Sequence, residues 1–186
     1  MAEQNPNLLS RNQMNTMAST SGSGKLLMHE ILTKVNNAKD KPKKVAVLRE
    51  HDTPGLRRVI KGSFDPNIKW DLPDGTPPFI ANEAPEGTEH TYLEMESGKY
   101  WHFVDGADTI SKTRKETMFI QSLEGLCKGE ADVAIRMKDK ELHKHYKGLS
   151  AAVVKEAFSW NDEYKSQPRG TTSGAVSYTH LRAHET

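Results

Sequence analysis

Basic side chains cluster in the first third of the chain, where they could neutralise phosphate groups. Residues 39–61 contain eight Lys and Arg residues against three acids, a net charge of +5. Phosphate contacts of this kind dominate non-specific nucleic-acid binding. No motif for a groove or a single strand accompanies them, so the segment predicts at most weak binding without sequence preference. The alternative is a solvated helical surface. The residues concerned are Lys41, Lys43, Lys44, Arg57, Arg58 and Lys61.

Acidic side chains dominate a later stretch, residues 83–108, with seven acids against one Lys and a net charge of −6. Paired carboxylates could serve hydrolysis or bind magnesium. Their spacing defines no such site, however, and neither a nucleophile nor a phosphate-binding loop accompanies them. We therefore interpret the acids as a solvated acidic face. It comprises Glu83, Glu86, Glu89, Glu94 and Glu96.

Three weaker signals are typical of enzymes, but each has a simpler interpretation. The string GSGK at residues 22–25 resembles part of a phosphate-binding loop, yet the rest of that motif is missing. His143 and His145 are two residues apart, so on a helix they point in nearly opposite directions and cannot share a metal. Cys127, the single cysteine, falls on an apolar stripe and is predicted to be a small buried hydrophobe. We predict no catalytic residue, no cofactor site and no metal site.

The elements that must position these residues are helices. Apolar residues recur at helical spacing, which predicts an all-α fold, a small bundle of about seven short helices. Helix-starting signals stand at Asp40, at Thr53–Pro54 and at Ser150, and Thr113 with Glu116 forms a capping-box pattern. Glycines follow several of the apolar stripes and predict helix ends. The predicted core comprises Ile31, Leu56, Ile60, Trp101, Phe119, Leu123 and Phe158.

A proline-rich connector at residues 63–87 divides the helices into two groups. Five of the nine prolines lie there, which excludes a long helix or a central strand. Trp70 and Phe79 are its aromatic anchors and could form a loop that binds a partner. The predicted organisation is a helical lobe at 25–62, the connector, a second helical lobe at 88–160 and a flexible tail at 161–175.

Both ends of the chain are expected to lie outside the fold. Residues 1–24 are polar and lack an apolar period, so we expect a disordered leader. The last eleven residues, VSYTHLRAHET at Val176–Thr186, match the translated reverse complement of an adapter from transposase-based sequencing libraries. We therefore expect a truncated metagenomic gene product with an artefactual end. The chain has neither a signal peptide nor an eighteen-residue apolar run, which predicts a soluble cytoplasmic protein without membrane association.

Several strings carry a resemblance to a known group of proteins, among them ANEAPEGTEH at residues 81–90, WHFV at 101–104 and KGLSAAVVKEAF at 147–158. Over about residues 26–164 the chain resembles an uncharacterised protein family of marine contractile-tailed phages, the cyanophage-type myoviruses. The resemblance implies a viral protein made in the cytoplasm of a bacterial host. It carries no known catalytic or binding residues.

Two functional hypotheses follow. The first is a non-enzymatic accessory protein of phage replication, transcription or host takeover, which binds nucleic acid weakly or joins a phage or host protein complex. The alternative is a virion or assembly component that acts through protein–protein contacts. An enzyme ranks third, because no catalytic pattern is present.

Overall fold

The computed structural model describes residues 26–84 and 91–167. The predicted leader, the adapter-like segment, Glu86 and Glu89 lie outside these residues. The eight α-helices are α1 Met28–Asn37, α2 Lys41–Glu50, α3 Pro54–Phe64, α4 Leu93–Glu96, α5 Lys112–Gly125, α6 Lys128–Lys138, α7 Leu142–His145 and α8 Ala151–Phe158. A 3-10 helix, Ser97–Phe103, directly follows α4. Instead of strands, the described ranges contain two isolated antiparallel bridges, Trp70 with Val104 and Trp160 with Ser166. The prediction of an all-α bundle is confirmed.

Side-chain caps start three helices at the residues that the sequence predicts. Asp40 Oδ1 accepts a hydrogen bond from the backbone N–H of Lys43 at 3.0 Å, and Thr53 Oγ1 accepts one from Leu56 at 3.2 Å. Ser150 does the same for the first turn of α8. Each oxygen satisfies a backbone donor that the first turn leaves without an intrahelical partner.

The predicted capping box before α5 is wrong. Ser111, two residues before Thr113, is the N-cap, and its hydroxyl accepts from the backbone N–H of Arg114 at 3.3 Å. Thr113 lies inside the helix. The helix therefore begins two residues earlier than the capping-box pattern predicts, because Ser and Thr are both good caps and local sequence alone does not choose between them.

One continuous hydrophobic core contains side chains from all eight α-helices. The main contacts join α1 to α2 and α6, α2 to α8, and α3 to α6. Six of the seven predicted core residues are buried, and Cys127 is also buried, as expected. Trp101 is the exception and its predicted burial is wrong, since 53% of its surface is exposed.

The exposure of Trp101 follows from a change of helix type. Leu93, Tyr100, Trp101 and Val104 recur at helical spacing in the sequence, which predicts one α-helix, but α4 gives way to the 3-10 helix at Ser97. A 3-10 helix has three residues per turn, so residues three apart share a face. Tyr100 and Phe103 therefore point inward and are buried, while Trp101 points to solvent.

The connector is irregular, as predicted, but buried lysines tie it to the helices. Lys138, only 5% exposed, donates from Nζ to the carbonyl of Pro73 at 2.8 Å and to that of Gly75 at 3.0 Å. Lys115, 2% exposed, donates to Asp71 Oδ2 at 2.9 Å. Carbonyl and carboxylate oxygens replace the water that each ammonium group loses on burial.

Candidate interaction surface

Three outward residues of α4 and the 3-10 helix form a surface that we call the recognition surface: Met95, Gly98 and Trp101. They follow one another at three-residue spacing and all are exposed. Met95 is 71% exposed and Trp101 53% exposed, which makes them two of the most exposed large apolar residues described. Large apolar side chains exposed on one side of a helix are a feature of many binding sites.

The inner face of the same segment is anchored in the core. The hydroxyl of Tyr100 is within 2.8 Å of that of Ser122 on α5, and burial raises the pKa of Tyr100 well above its ordinary value. The ring of Phe103 meets that of Phe119 edge to face, with centroids 5.8 Å apart. The recognition surface is therefore the outer side of a packed helix, and its backbone is held from below.

A buried carboxylate holds the N-terminal end of this segment. Glu130 on α6, 2% exposed, accepts from the backbone N–H of Leu93 at 3.1 Å and from that of Met28 at 3.2 Å. These donors start α4 and α1, where no intrahelical partner is available. One side chain therefore fixes the beginnings of two helices that are far apart in the chain.

The acidic residues nearest this surface are not a solvated face, so that interpretation is wrong for two of them. Glu94 accepts from the backbone N–H of Gly55 at 3.0 Å and from Thr53 Oγ1 at 2.7 Å. Glu96 is 9% exposed and pairs with Lys99 at 3.1 Å. Glu83 is exposed, as that interpretation expects. The two inner carboxylates attach the recognition surface to the beginning of α3 and to its own helix.

The connector holds the C-terminal end of the segment. The backbone N–H of Asp71 donates to the carbonyl of Phe103, and that of Asp105 donates to the carbonyl of Lys69, both at 2.7 Å. The carboxylate of Asp71 is in turn held by Lys115, and this hydrogen bond lowers the pKa of Asp71. The buried lysine of α5 therefore supports the recognition surface through the connector.

Trp101 has a defined orientation although it is exposed. Its ring stacks on that of His102, with centroids 3.8 Å apart and an interplanar angle of 29°. His102 Nδ1 donates to Asp108, and this hydrogen bond lowers the pKa of the Asp108 carboxyl. A side chain that is already ordered loses less conformational entropy when a partner covers it.

Three of the six residues of the predicted basic surface form ion pairs with carboxylates of the same chain. Arg57 binds Asp52 through two hydrogen bonds of 2.6 Å, and its guanidinium lies 5.2 Å from the centroid of the Phe158 ring. On α2, Lys41 pairs with Glu156 of α8 at 2.7 Å. Lys43 is 3.5 Å from Asp40, its own N-cap. These pairs reduce the charge that is available to phosphates.

The remaining basic residues, Lys44, Arg58 and Lys61, form no salt bridge within the described ranges. Arg58 is exposed, and the other two are half-buried. The main neighbours of α2 are α1 and α8, whereas α3 packs mainly against α6. The basic residues of α2 and those of α3 therefore lie on helices that are not each other's main neighbours.

The aromatic anchors of the connector face the protein. Trp70 donates from its indole N–H to the carbonyl of Gly62 at 2.9 Å, and both Trp70 and Phe79 pack against the core while remaining partly exposed. Among the described residues of the connector, the exposed large apolar side chain is that of Ile80, at 80%. Trp70 and Phe79 thus contribute mainly to holding the connector in place.

The two closely spaced histidines have separate surroundings. His143 lies beside Phe64, with ring centroids 6.1 Å apart, and His145 Nε2 is 3.9 Å from Asp132. Among the residues that the structure describes, no group of three or more metal-ligating side chains could hold an ion. None of the helices in that part of the chain is long and apolar enough to cross a membrane.

Sequence reasoning missed the recognition surface. Met95, Gly98 and Trp101 recur every three residues, but the apolar residues Leu93, Tyr100, Trp101 and Val104 predict one α-helical stripe, which places Trp101 in the core. Gly98 is a weak point of that predicted helix, because glycine is a poor helix former.

Comparison with curated proteins found no match, and neither did comparison with solved structures. The profile of one protein family matches residues 31–144, more than half of the chain. The match includes the connector, the recognition surface, helices α2–α6 and all but the last residue of α7. The chain therefore belongs to DUF6433, a family of unknown function.

Proposed function

We propose that this chain is a non-enzymatic accessory protein of a phage, and that it acts in the cytoplasm of the infected bacterium by binding another protein. The resemblance to proteins of cyanophage-type myoviruses supports the viral origin. The observation that carries the binding role is the exposed Trp101 of the recognition surface, whose ring is stacked on His102. Fixed, exposed aromatic residues of this kind are frequent hot spots of protein interfaces.

A protein partner fits the surface better than nucleic acid does. The exposed acid Asp105 stands beside the recognition surface and would repel a phosphate backbone, whereas Glu94 and Glu96 accept hydrogen bonds from other groups of the chain. The basic residues that could attract one lie mainly on α2 and α3, and several are paired internally. A role as a virion or assembly component is the alternative, and it would use the same apolar surface.

The test is capture of a partner from phage-infected cells with the tagged chain, followed by mass spectrometry and by binding of the purified partner. The Trp101→Ala variant should lose that partner. Ile80→Ala removes a comparably exposed apolar side chain from the connector and should retain it. A partner that both variants bind as well as the wild-type chain does would contradict the proposed role of this surface. Detection of the chain in purified particles would favour the virion alternative.

Nucleic-acid binding needs a separate measurement. Labelled single- and double-stranded DNA and RNA would be titrated at about 50 mM salt and at physiological salt, because phosphate binding weakens steeply with salt. The matched variant is Lys44/Arg58/Lys61→Ala, which leaves the internal pair of Arg57 intact. Salt-sensitive binding that this variant loses would favour nucleic acid over a protein partner.

A further inference from the structure

We infer that Met95 is an oxidation site that controls the recognition surface: hydrogen peroxide converts its thioether into a sulfoxide, and the surface then loses its partner. This inference rests on the proposed function and adds the regulation of the same surface. The oxidant is a peroxide, and the reverse reaction uses thiols as the reductant.

The described methionine side chains differ widely in exposure. Met95 is 71% exposed, whereas Met28 is 3% exposed and Met137 is 2% exposed. Met118 is partly buried and packs against the core. Peroxide must reach the sulfur atom, so a buried thioether reacts mainly when its surroundings open. Among these four methionines, Met95 should therefore react first.

The oxidation step is balanced with peroxide alone. A lone pair of the Met95 sulfur attacks one peroxide oxygen, the O–O bond breaks, and the departing hydroxide takes the proton that the transferred oxygen carried. The sulfur is oxidised by two electrons, and the products are the sulfoxide and water. Methionine sulfoxide reductases reverse the change, since two thiols become a disulfide and the oxygen leaves as water. At an exposed position, the sulfoxide is open to such an enzyme.

The fold beneath Met95 does not depend on this side chain. The backbone at the start of α4 is held by Glu130, and Glu94 joins α4 to the beginning of α3. A sulfoxide at Met95 lies in water and leaves both contacts in place. Met137 is the contrast, because its sulfur atom packs against Gly62, 3.0 Å from the position that a Cβ would take there. Oxidation of Met137 would disturb the core, whereas oxidation of Met95 changes the surface alone.

A sulfoxide changes what the recognition surface offers to a partner. The thioether is apolar and can be covered by another apolar group. The sulfoxide carries a strong hydrogen-bond acceptor, which is costly to bury without a donor. A partner that covers the whole recognition surface buries Met95 together with Trp101. Loss of the apolar contribution of one methionine should weaken such binding about tenfold.

The test is treatment of the full chain with hydrogen peroxide. Peptide mass mapping should show that Met95 is oxidised at least about tenfold faster than Met28 and Met137. Retention on a phenyl column, which depends on exposed apolar surface, should fall while the circular dichroism spectrum and the melting temperature stay unchanged. Affinity for the protein captured from phage-infected cells should fall about tenfold. Methionine sulfoxide reductases with a dithiol should restore it.

Two matched variants locate the effect. Leucine is close to methionine in volume but cannot form a sulfoxide. In Met95→Leu, peroxide should change column retention and capture less than in the wild-type chain, when each treated sample is compared with the untreated sample of the same variant. Met118→Leu removes a methionine of α5 instead and should stay as sensitive to peroxide as the wild-type chain.

Oxidation of Met95 that is no faster than that of Met28 or Met137 would overturn the inference. An equal loss of capture in Met95→Leu and in the wild-type chain would overturn it as well. In both cases, Trp101-dependent capture by the untreated chain would leave the proposed function standing. If the untreated chain captures no protein in a Trp101-dependent manner, the proposed function is refuted, and the control of binding by Met95 is refuted with it.

Discussion

The recognition surface and the basic surface of α2 and α3 use exposed positions in opposite ways. On the basic surface, Lys41, Lys43 and Arg57 form ion pairs with carboxylates of the same chain. On the recognition surface, the ring of Trp101 stacks on His102, but more than half of its surface remains exposed. A basic residue that adds to the net charge of the sequence is therefore not always available to a ligand. The exposed part of an aromatic side chain, in contrast, is available for contact with a partner. Four pairs of substitutions test this contrast.

The largest expected effect separates the two faces of the 3-10 helix. Phe103→Ala should destabilise the fold by roughly 3 to 5 kcal/mol, because it empties a site in the core. Trp101→Ala, two residues earlier, should cost less than about 1 kcal/mol, because the side chain is half exposed. Chemical denaturation of both variants measures the difference. Equal losses would mean that Trp101 serves stability and not binding.

The next effect compares two glutamates. Glu130 anchors the segment that carries the recognition surface, and Glu156 pairs with Lys41 of the basic surface. Glu130→Ala leaves two buried backbone N–H groups without their acceptor, which should cost about 2 to 4 kcal/mol. Glu156→Ala removes an exposed partner of Lys41 and should cost less than about 1 kcal/mol. Urea unfolding provides both values. A mild effect of Glu130→Ala would show that α4 does not depend on this anchor.

A smaller effect distinguishes adjacent arginines on α3. Arg57→Ala removes a bidentate ion pair with Asp52 and a contact with the ring of Phe158. The substitution should lower the free energy of unfolding by about 1 to 2 kcal/mol. Arg58→Ala should change stability by no more than about 0.5 kcal/mol. Thermal denaturation gives the comparison. If Arg58→Ala is the more destabilising, Arg58 has a stabilising role within the chain and the contrast with Arg57 fails.

The smallest effect concerns pH. Burial lowers the pKa of Lys140 to about 8 from 10.5, although the charge of Asp65 acts in the other direction. Between these values the unfolded chain binds a proton that the folded chain has lost, so this residue makes stability rise with pH. Lys140→Met should abolish that rise, whereas Lys43→Met, at an exposed position, should keep it. Urea unfolding between about pH 7.5 and about pH 9.5 measures the slope. A slope that is unchanged in Lys140→Met would contradict the burial argument.

The parts of the fold that depend on local sequence were predictable. Asp40, Thr53 and Ser150 cap helices at the expected residues, because a cap acts over only three positions. The apolar stripes of α1, α3 and α8 are buried as the helical period requires.

The candidate site was not predictable, because it depends on contacts between residues that are far apart in the chain. Whether Leu93–Val104 is an α-helix or changes to a 3-10 helix is influenced by anchors far away in the chain, such as Glu130 at one end and Asp71 at the other. These anchors decide that Trp101 faces outward. Glu156, which pairs with Lys41, is likewise more than a hundred positions away from it in the chain. Periodicity and charge counts contain no information on either.

The hydrogen bonds between the connector and the 3-10 helix also affect how this part of the molecule opens. The amide protons of Asp71 and Asp105 lie on opposite sides of one bridge, and each is bonded to the other segment. Neither can be released to solvent while the two segments remain together, so both should exchange with deuterium in the same opening event. The irregular connector and the recognition surface therefore form one cooperative unit, with a common free energy of opening.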